Sequence, residues 1–161
     1  EHYNLNYTVL RFGSLYGQRS DTRNGINNIL SQAISSNQIK YFGTGDEVRE
    51  YIHVLDAAAM SVDVLDDEFK GQIVHLTGTE RMSSREMLSM IQEMMGNNLE
   101  IIFEGKTDHG HYIQSPYNYK PELPRRLRRN TYIDLGLGLL DCLHDMNGQP
   151  SNDEVNTQKN K

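Results

Sequence analysis

The 161-residue chain holds one cysteine and no tryptophan. With Cys142 alone, no disulfide can form within the chain, which suits a reducing cytoplasm, the compartment expected here. No apolar run approaches the ~18 residues that a membrane span needs, so no membrane partner is expected. The opening "EHYNLNYTVL" has neither a basic segment nor an apolar one, and so lacks the signature of a secretory leader. It runs straight into a strand, and the chain is expected to be the later part of a longer protein. Positive charge is also short, at 16 Lys and Arg against 22 Asp and Glu, a net charge of −6. That balance argues against general nucleic-acid affinity. Hydrophobic residues make up 37% of the chain, in keeping with a soluble globular protein.

Two chemical motifs are missing as well. "GTGDEV" and "GLGLLD" both fail at the last position of Gly-x-Gly-x-x-Gly, so no glycine-rich phosphate cradle opens a helix. No tyrosine has a lysine four residues on. A metal site has little to build on: "HGHY", residues 109–112, offers two histidines and no cysteine, and no metal is expected.

What is present alternates. "YTVLRF" (7–12) has the β-branched and aromatic content of a buried strand and breaks at "GSLYGQRSD", read as a loop. Ile26, Ile29, Leu30, Ala33 and Ile34 form one apolar stripe on a helix over 25–36. "IKYFG" and "REYIHV" read as strands, separated by the turn "GTGDE". Asp56 is placed to open a helix reaching about Asp67. "QIVHLTG" (72–78) is another strand. "SSRE", residues 83–86, forms a capping box before Met87, Leu88, Ile91, Met94 and Met95, a stripe read as core. Gly96 is placed to end that helix, and "LEIIFE" is a strand. Residues 105–131 lack periodicity and read as a long loop. "IDLGLGLLDCLHDM" is a final helix weakened by Gly136 and Gly138. Cys142, in that stretch, reads as a small core residue. Strands alternating with helices define an α/β fold, assigned to residues 1–147, with a disordered polar tail over 148–161.

"LRFGSLYGQR", "GINNILSQAI" and "IKYFGTGDEVREYIHVLDAAAMSVDVL" together resemble the later half of the NAD-dependent epimerase/dehydratase family. This family consists of extended short-chain dehydrogenase/reductases acting on nucleotide-diphosphate sugars, of the UDP-glucose 4-epimerase type. The resemblance is close over residues 1–103. It implies the end of a Rossmann-type parallel sheet plus a small substrate-binding lobe, with the "LRF" and "YIHV" strands in the sheet and "IKYFG" in the lobe. It also implies that Phe12 and Gly13 pass the nicotinamide end of NAD through their backbones. Ser14 stands where the family usually has a sugar-contacting Asn, and its hydroxyl reaches less far. Asn27 and Asn28 flank the nucleotide, Tyr41 or Phe42 lies near the base, and Arg49 matches the arginine that binds the diphosphate.

The chemistry of Arg49 agrees. A guanidinium gives phosphate oxygens bidentate donors and keeps its charge when partly buried; the competing reading is a surface pair with Glu47 or Glu50. His53, inside an apolar strand, reads as structural rather than catalytic. "PRRLRRN" is either a solvated loop or an anion contact, in which case Arg125 or Arg126 approaches the phosphate once "HYIQSPYNYKP" closes over the substrate. The absent Tyr-x-x-x-Lys pair would supply the family's acid/base tyrosine, so no catalytic residue is assigned. NAD is expected to be bound mainly by a separate N-terminal Rossmann half. With that half the complete enzyme would oxidise the sugar at C4 and act as a homodimer; this chain alone would be inactive. The alternatives are a stand-alone sugar-nucleotide binding module and a non-functional truncation product.

Overall fold

In the computed structural model, residues 5–106 and 125–148 are described. Strand β1 (Val9–Phe12) is followed at once by β2 (Ser14–Tyr16). Helix α1 (Gly25–Ser36) buries Ile26, Ile29, Leu30 and Ala33, the stripe its spacing predicts, and leaves Ile34 outside. The Asn24 side chain opens it by accepting from the Ile26 and Asn27 N–H groups, and Asn37 ends it in the left-handed conformation. Strands β3 (Gln38–Tyr41) and β4 (Val48–His53) flank the glycine turn. Helix α2 (Val54–Asp63) and a 3-10 turn (Asp67–Phe69) lead to β5 (Ile73–Leu76).

After β6 (Arg81–Ser83), the capping box forms as the sequence predicts: Glu86 N donates to Ser83 Oγ, and Ser83 N to Glu86 Oε2. Helix α3 (Ser84–Met94) buries Met87, Leu88 and Ile91, with Met94 and Met95 packed against the same core. Gly96, at φ 89°, follows the helix end. Strands β7 (Glu100–Phe103) and β8 (Arg125–Arg126) and helix α4 (Leu135–Gly148) complete the described elements.

Three sheets result among the described residues. β1, β5 and β8 run parallel in the order β1-β5-β8; β4 pairs parallel with β2 and antiparallel with β6; β3 pairs parallel with β7. Strand β4 lies between two cores. Its Tyr51 joins the cluster built by α1, α3, α4 and β3, and its Ile52 joins the one between α2 and the β1-β5 sheet. That split follows from the two-residue alternation of a strand.

Several expectations are corrected here. "SLY" is a strand rather than loop, because Ser14, Leu15 and Tyr16 pair with Tyr51, Ile52 and His53. The "LRF" and "YIHV" strands do not share a sheet: β1 pairs with "IVHL", and β4 with "SLY" and "RMS". Helix α2 starts before Asp56. Its N-cap is His53, whose Nδ1 accepts from Leu55 N at 3.3 Å, while Asp56 Oδ2 accepts from Ile133 N at 2.8 Å. The helix stops at Asp63, short of Asp67. The stretch read as loop contains β8, held by its pairing with β5. Helix α4 extends to Gly148, and the rest of the predicted tail lies outside the described residues.

Candidate anion site on strand β4

The turn between β3 and β4 is fixed by a single carboxylate. Glu47 Oε1 accepts from Thr44 N at 2.8 Å, and Glu47 Oε2 accepts from Gly45 N at 2.9 Å and from Tyr41 Oη at 3.2 Å. Burial pushes this carboxyl up, but the backbone N–H groups of Glu47, Thr44 and Gly45 outweigh it and hold it below the ordinary value. Gly45 sits at φ 90°, a conformation that suits glycine. Arg85 clamps the turn from α3, with Nη2 donating to Thr44 O at 2.6 Å and the guanidinium 4.2 Å from the Phe103 ring centre.

On this frame, residues 49, 51 and 53 of β4 face one way and 50 and 52 the other. Arg49 therefore shares a face with Tyr51. The half-buried Tyr41 Oη shares a 2.8 Å hydrogen bond with Ser84 Oγ, and Ser84 N donates to Glu47 O at 2.8 Å. Burial raises both phenols, Tyr51 to about 12; hydrogen bonding to Ser84 and the charge of Arg49 work against that rise in each. The Arg49 charge thus acts on both Tyr41 and Tyr51, and its Nη1 donates to Val48 O at 3.4 Å. Glu47 holds the turn, and Glu50, on the opposite face, lies 3.4 Å from Arg126 Nη2. A partly buried cation flanked by hydroxyl groups is suited to an anion with several oxygen acceptors.

The remaining predicted residues spread more widely. Phe12 is paired in register with Leu76, and Gly13 N donates to Leu76 O at 3.0 Å. Ser14 pairs in register with Tyr51, one residue along the strand from Glu50. Asn28 is exposed on α1 and accepts from Gln32 Nε2 at 2.9 Å, while Asn27 Nδ2 donates to Ser20 O at 2.9 Å. Phe42 is exposed, with Lys106 Nζ 5.3 Å from its ring centre. Arg125 turns away, pairing with Glu68 at 2.8 Å and lying 4.3 Å over Phe69. Arg126 is the member of the basic cluster that reaches β4.

His53 is buried, packs edge-on to Tyr16 and caps α2; burial lowers its pKa, with Asp56 and Asp141 opposing. Cys142 is buried in the α4 core. "HGHY" and "HYIQSPYNYKP" lie outside the described residues, as does the first part of the basic stretch. Among the described residues, no group of three His, Cys, Asp or Glu side chains is placed to hold a metal ion. No described helix is long and apolar enough to cross a membrane.

The sequence reading missed Tyr51 and Ser84. Tyr51 was findable, since it lies two residues from Arg49 on a strand. Ser84 carried no local signal, because it meets Tyr41 from 43 residues away.

A Cβ on Gly13 would strike the Glu50 carbonyl oxygen, so the bare Cα faces the protein's own backbone rather than a ligand cradle. The Gly13 N–H is already spent on Leu76 O.

Comparison with known proteins agrees with the fold and the strand motifs. Residues 1–76 match the model of the NAD dependent epimerase/dehydratase family. A UDP-N-acetyl-alpha-D-glucosaminuronate decarboxylase of Bacillus cytotoxicus is 23% identical over 129 residues, 75% of this chain and 39% of the relative. Among solved structures, the UDP-glucose 4-epimerase of Thermotoga maritima with UDP-glucose superposes at a TM-score of 0.71 and 20% identity, covering 90% of this chain and 47% of that one. The UDP-glucuronic acid 4-epimerase of Bacillus cereus, in complex with UDP-glucuronic acid and NAD, gives 0.70 and 19%, covering 87% and 45%. The chain spans between 34% and 39% of the length of the first curated relatives it matches. Over residues 1–76 the chain is thus similar to the NAD dependent epimerase/dehydratase family, and it shares the α/β fold of the two solved epimerases.

Proposed function

We propose that this chain is the substrate-binding part of a nucleotide-diphosphate-sugar epimerase or dehydratase, with Arg49 as the diphosphate ligand. The observation that carries this reading is the setting of Arg49: a half-buried guanidinium on the Tyr51 face of β4, whose charge acts on both Tyr41 and Tyr51. Tyr41 and Phe42, at the end of β3, border the place for the base, and Ser14 the place for the sugar. Arg125, tied to Glu68 and Phe69, is left out of the site.

NAD, the family's cofactor, is assigned mainly to an N-terminal Rossmann half. β1 supports this partner, because among the described residues it is hydrogen-bonded to β5 on one side and forms an end of the β1-β5-β8 sheet. Val9 in β1 and Leu5 and Tyr7 before it are exposed, an edge suited to a further parallel strand. In the cytoplasm the complete protein would act as a homodimer, and the 161-residue chain alone would not turn over substrate. Titration of UDP-glucose and then dTDP-glucose into the chain, followed by an activity assay with added NAD, tests the reading. Binding without turnover is expected; turnover by the chain alone would refute the assigned division of labour.

A further inference from the structure

Strand β4 rests on the carboxyl ends of two strands of the neighbouring sheet. A Cβ on Gly13, just after β1, would strike the Glu50 carbonyl oxygen, and one on Gly78, just after β5, would strike the Tyr51 carbonyl oxygen. Both glycines therefore permit backbone-to-backbone contact immediately beyond Arg49. A third contact at the same place is ionic. Arg126 Nη2 lies 3.4 Å from Glu50 Oε2, donates to Gly78 O at 3.2 Å and donates to Thr77 Oγ1. One guanidinium thus ties the β4 strand to the end of β5.

The two sides of this tie differ in exposure. The Glu50 side chain is 7% exposed and that of Arg126 is 39% exposed. Glu50 Oε2 has no hydrogen-bond partner, so its compensation comes from the nearby cation. Removing that cation would leave a buried carboxylate uncompensated, a situation far worse than never having had the pair. The carboxylate would then turn toward water, which disturbs the backbone of residue 50. Arg49 is the next residue, facing the other way, and its direction depends on that backbone.

We infer that Arg126 is a positioning residue for the anion site: through Glu50, Thr77 and Gly78 it fixes the segment of β4 that aims Arg49. Arg126 itself stays on the opposite side of the strand and does not touch the anion. The inference rests on the diphosphate reading of Arg49. It also assigns a task to the basic stretch "PRRLRRN" that is neither a solvated loop nor a phosphate contact.

The test is calorimetric titration of UDP into the full chain and into Arg49→Ala, Arg126→Ala, Arg126→Lys and the Arg49→Ala/Arg126→Ala double variant. Far-UV circular dichroism confirms folding of each. Arg126→Ala is expected to weaken UDP binding about tenfold, the scale of coupling through a packed network, and Arg126→Lys to recover part of the loss. The double variant should bind no more than about twofold more weakly than Arg49→Ala, because positioning an absent side chain has no value. Full affinity in Arg126→Ala, alongside loss in Arg49→Ala, would overturn the inference and leave the diphosphate reading intact. Multiplied losses in the double variant would also overturn it, making Arg126 an independent contact. Unchanged binding in Arg49→Ala, or none by the folded wild-type chain, would end the diphosphate reading and this inference with it. Should Arg126→Ala fail to fold, Thr77→Val removes an acceptor of the same guanidinium and is judged by the same outcomes.

Discussion

Substituting Gly138 by alanine sets helix propensity against packing within one helix. In an exposed helix interior this change stabilises by about 1 kcal/mol. In α4, however, a Cβ at 138 would stand 2.5 Å from Tyr16 Oη, 2.8 Å from Cε2 and 3.0 Å from Cζ. Tyr16 is 2% exposed and sits edge-on to His53, so its ring has little room to yield. Overpacking of this kind costs about 1–3 kcal/mol. Setting that against the propensity gain leaves a net loss of up to about 2 kcal/mol. Gly136 is the internal control. A Cβ there meets Asp134 Oδ1 at 3.1 Å and the Met90 and Met94 side chains only at 3.7 Å. Its alanine variant should shift stability by less than about 1 kcal/mol. Urea denaturation followed by circular dichroism reads both, and Tyr16→Phe, which removes the nearest atom, should recover part of the Gly138→Ala loss. A Gly138→Ala protein more stable than wild type would refute the packing of β2 against α4.

Two further perturbations probe the caps. Ser83→Ala removes the acceptor for Glu86 N and should cost about 1 kcal/mol, read from the same urea curves; no change would mean that the capping box contributes nothing to α3. His53 caps α2 through Nδ1, and burial lowers its pKa, with Asp56 and Asp141 opposing. A lowered folded-state pKa means stability that is complete above about pH 6.5 and is lost as pH falls through the folded value. His75, also lowered, adds to the same trend. The loss of stability between pH 7 and pH 5 should therefore be smaller in His53→Asn, which keeps a capping side chain without titrating. An equal loss in both proteins would remove His53 from the account.

Local signals carried much of the fold. The stripe from Ile26 to Ala33 needs only the helical period, and Ser83 with Glu86 needs only three residues of separation, so both were legible. Non-local pairing was not. "SLY" is three residues between glycines, and it becomes a strand only because Tyr51, Ile52 and His53 lie alongside it. β8 is two arginines, held by Val74 and His75 from about 50 residues away. The cap of α2 was misread because an aspartate is the commoner choice, yet His53 Nδ1 was in reach of Leu55 N and Asp56 was drawn to Ile133. At the site, Arg49 was visible as a cation in a strand, but its neighbours were not: Ser84 and Arg126 arrive from other elements. The sequence also offered Arg125 and Arg126 as equals, and only the register of β8 separates them.

The central claim is that Arg49 holds a diphosphate, and comparing UDP with uridine addresses it most directly. Both ligands would be titrated into the wild-type chain and Arg49→Ala under one low-salt buffer. Loss of a hydrogen bond to a charged group costs about 1.5–3 kcal/mol, so UDP should bind the variant about 10- to 150-fold more weakly. Uridine, which has no phosphate, should bind both proteins alike. Equal affinity for UDP in the two proteins, or the same loss for uridine, would contradict the claim.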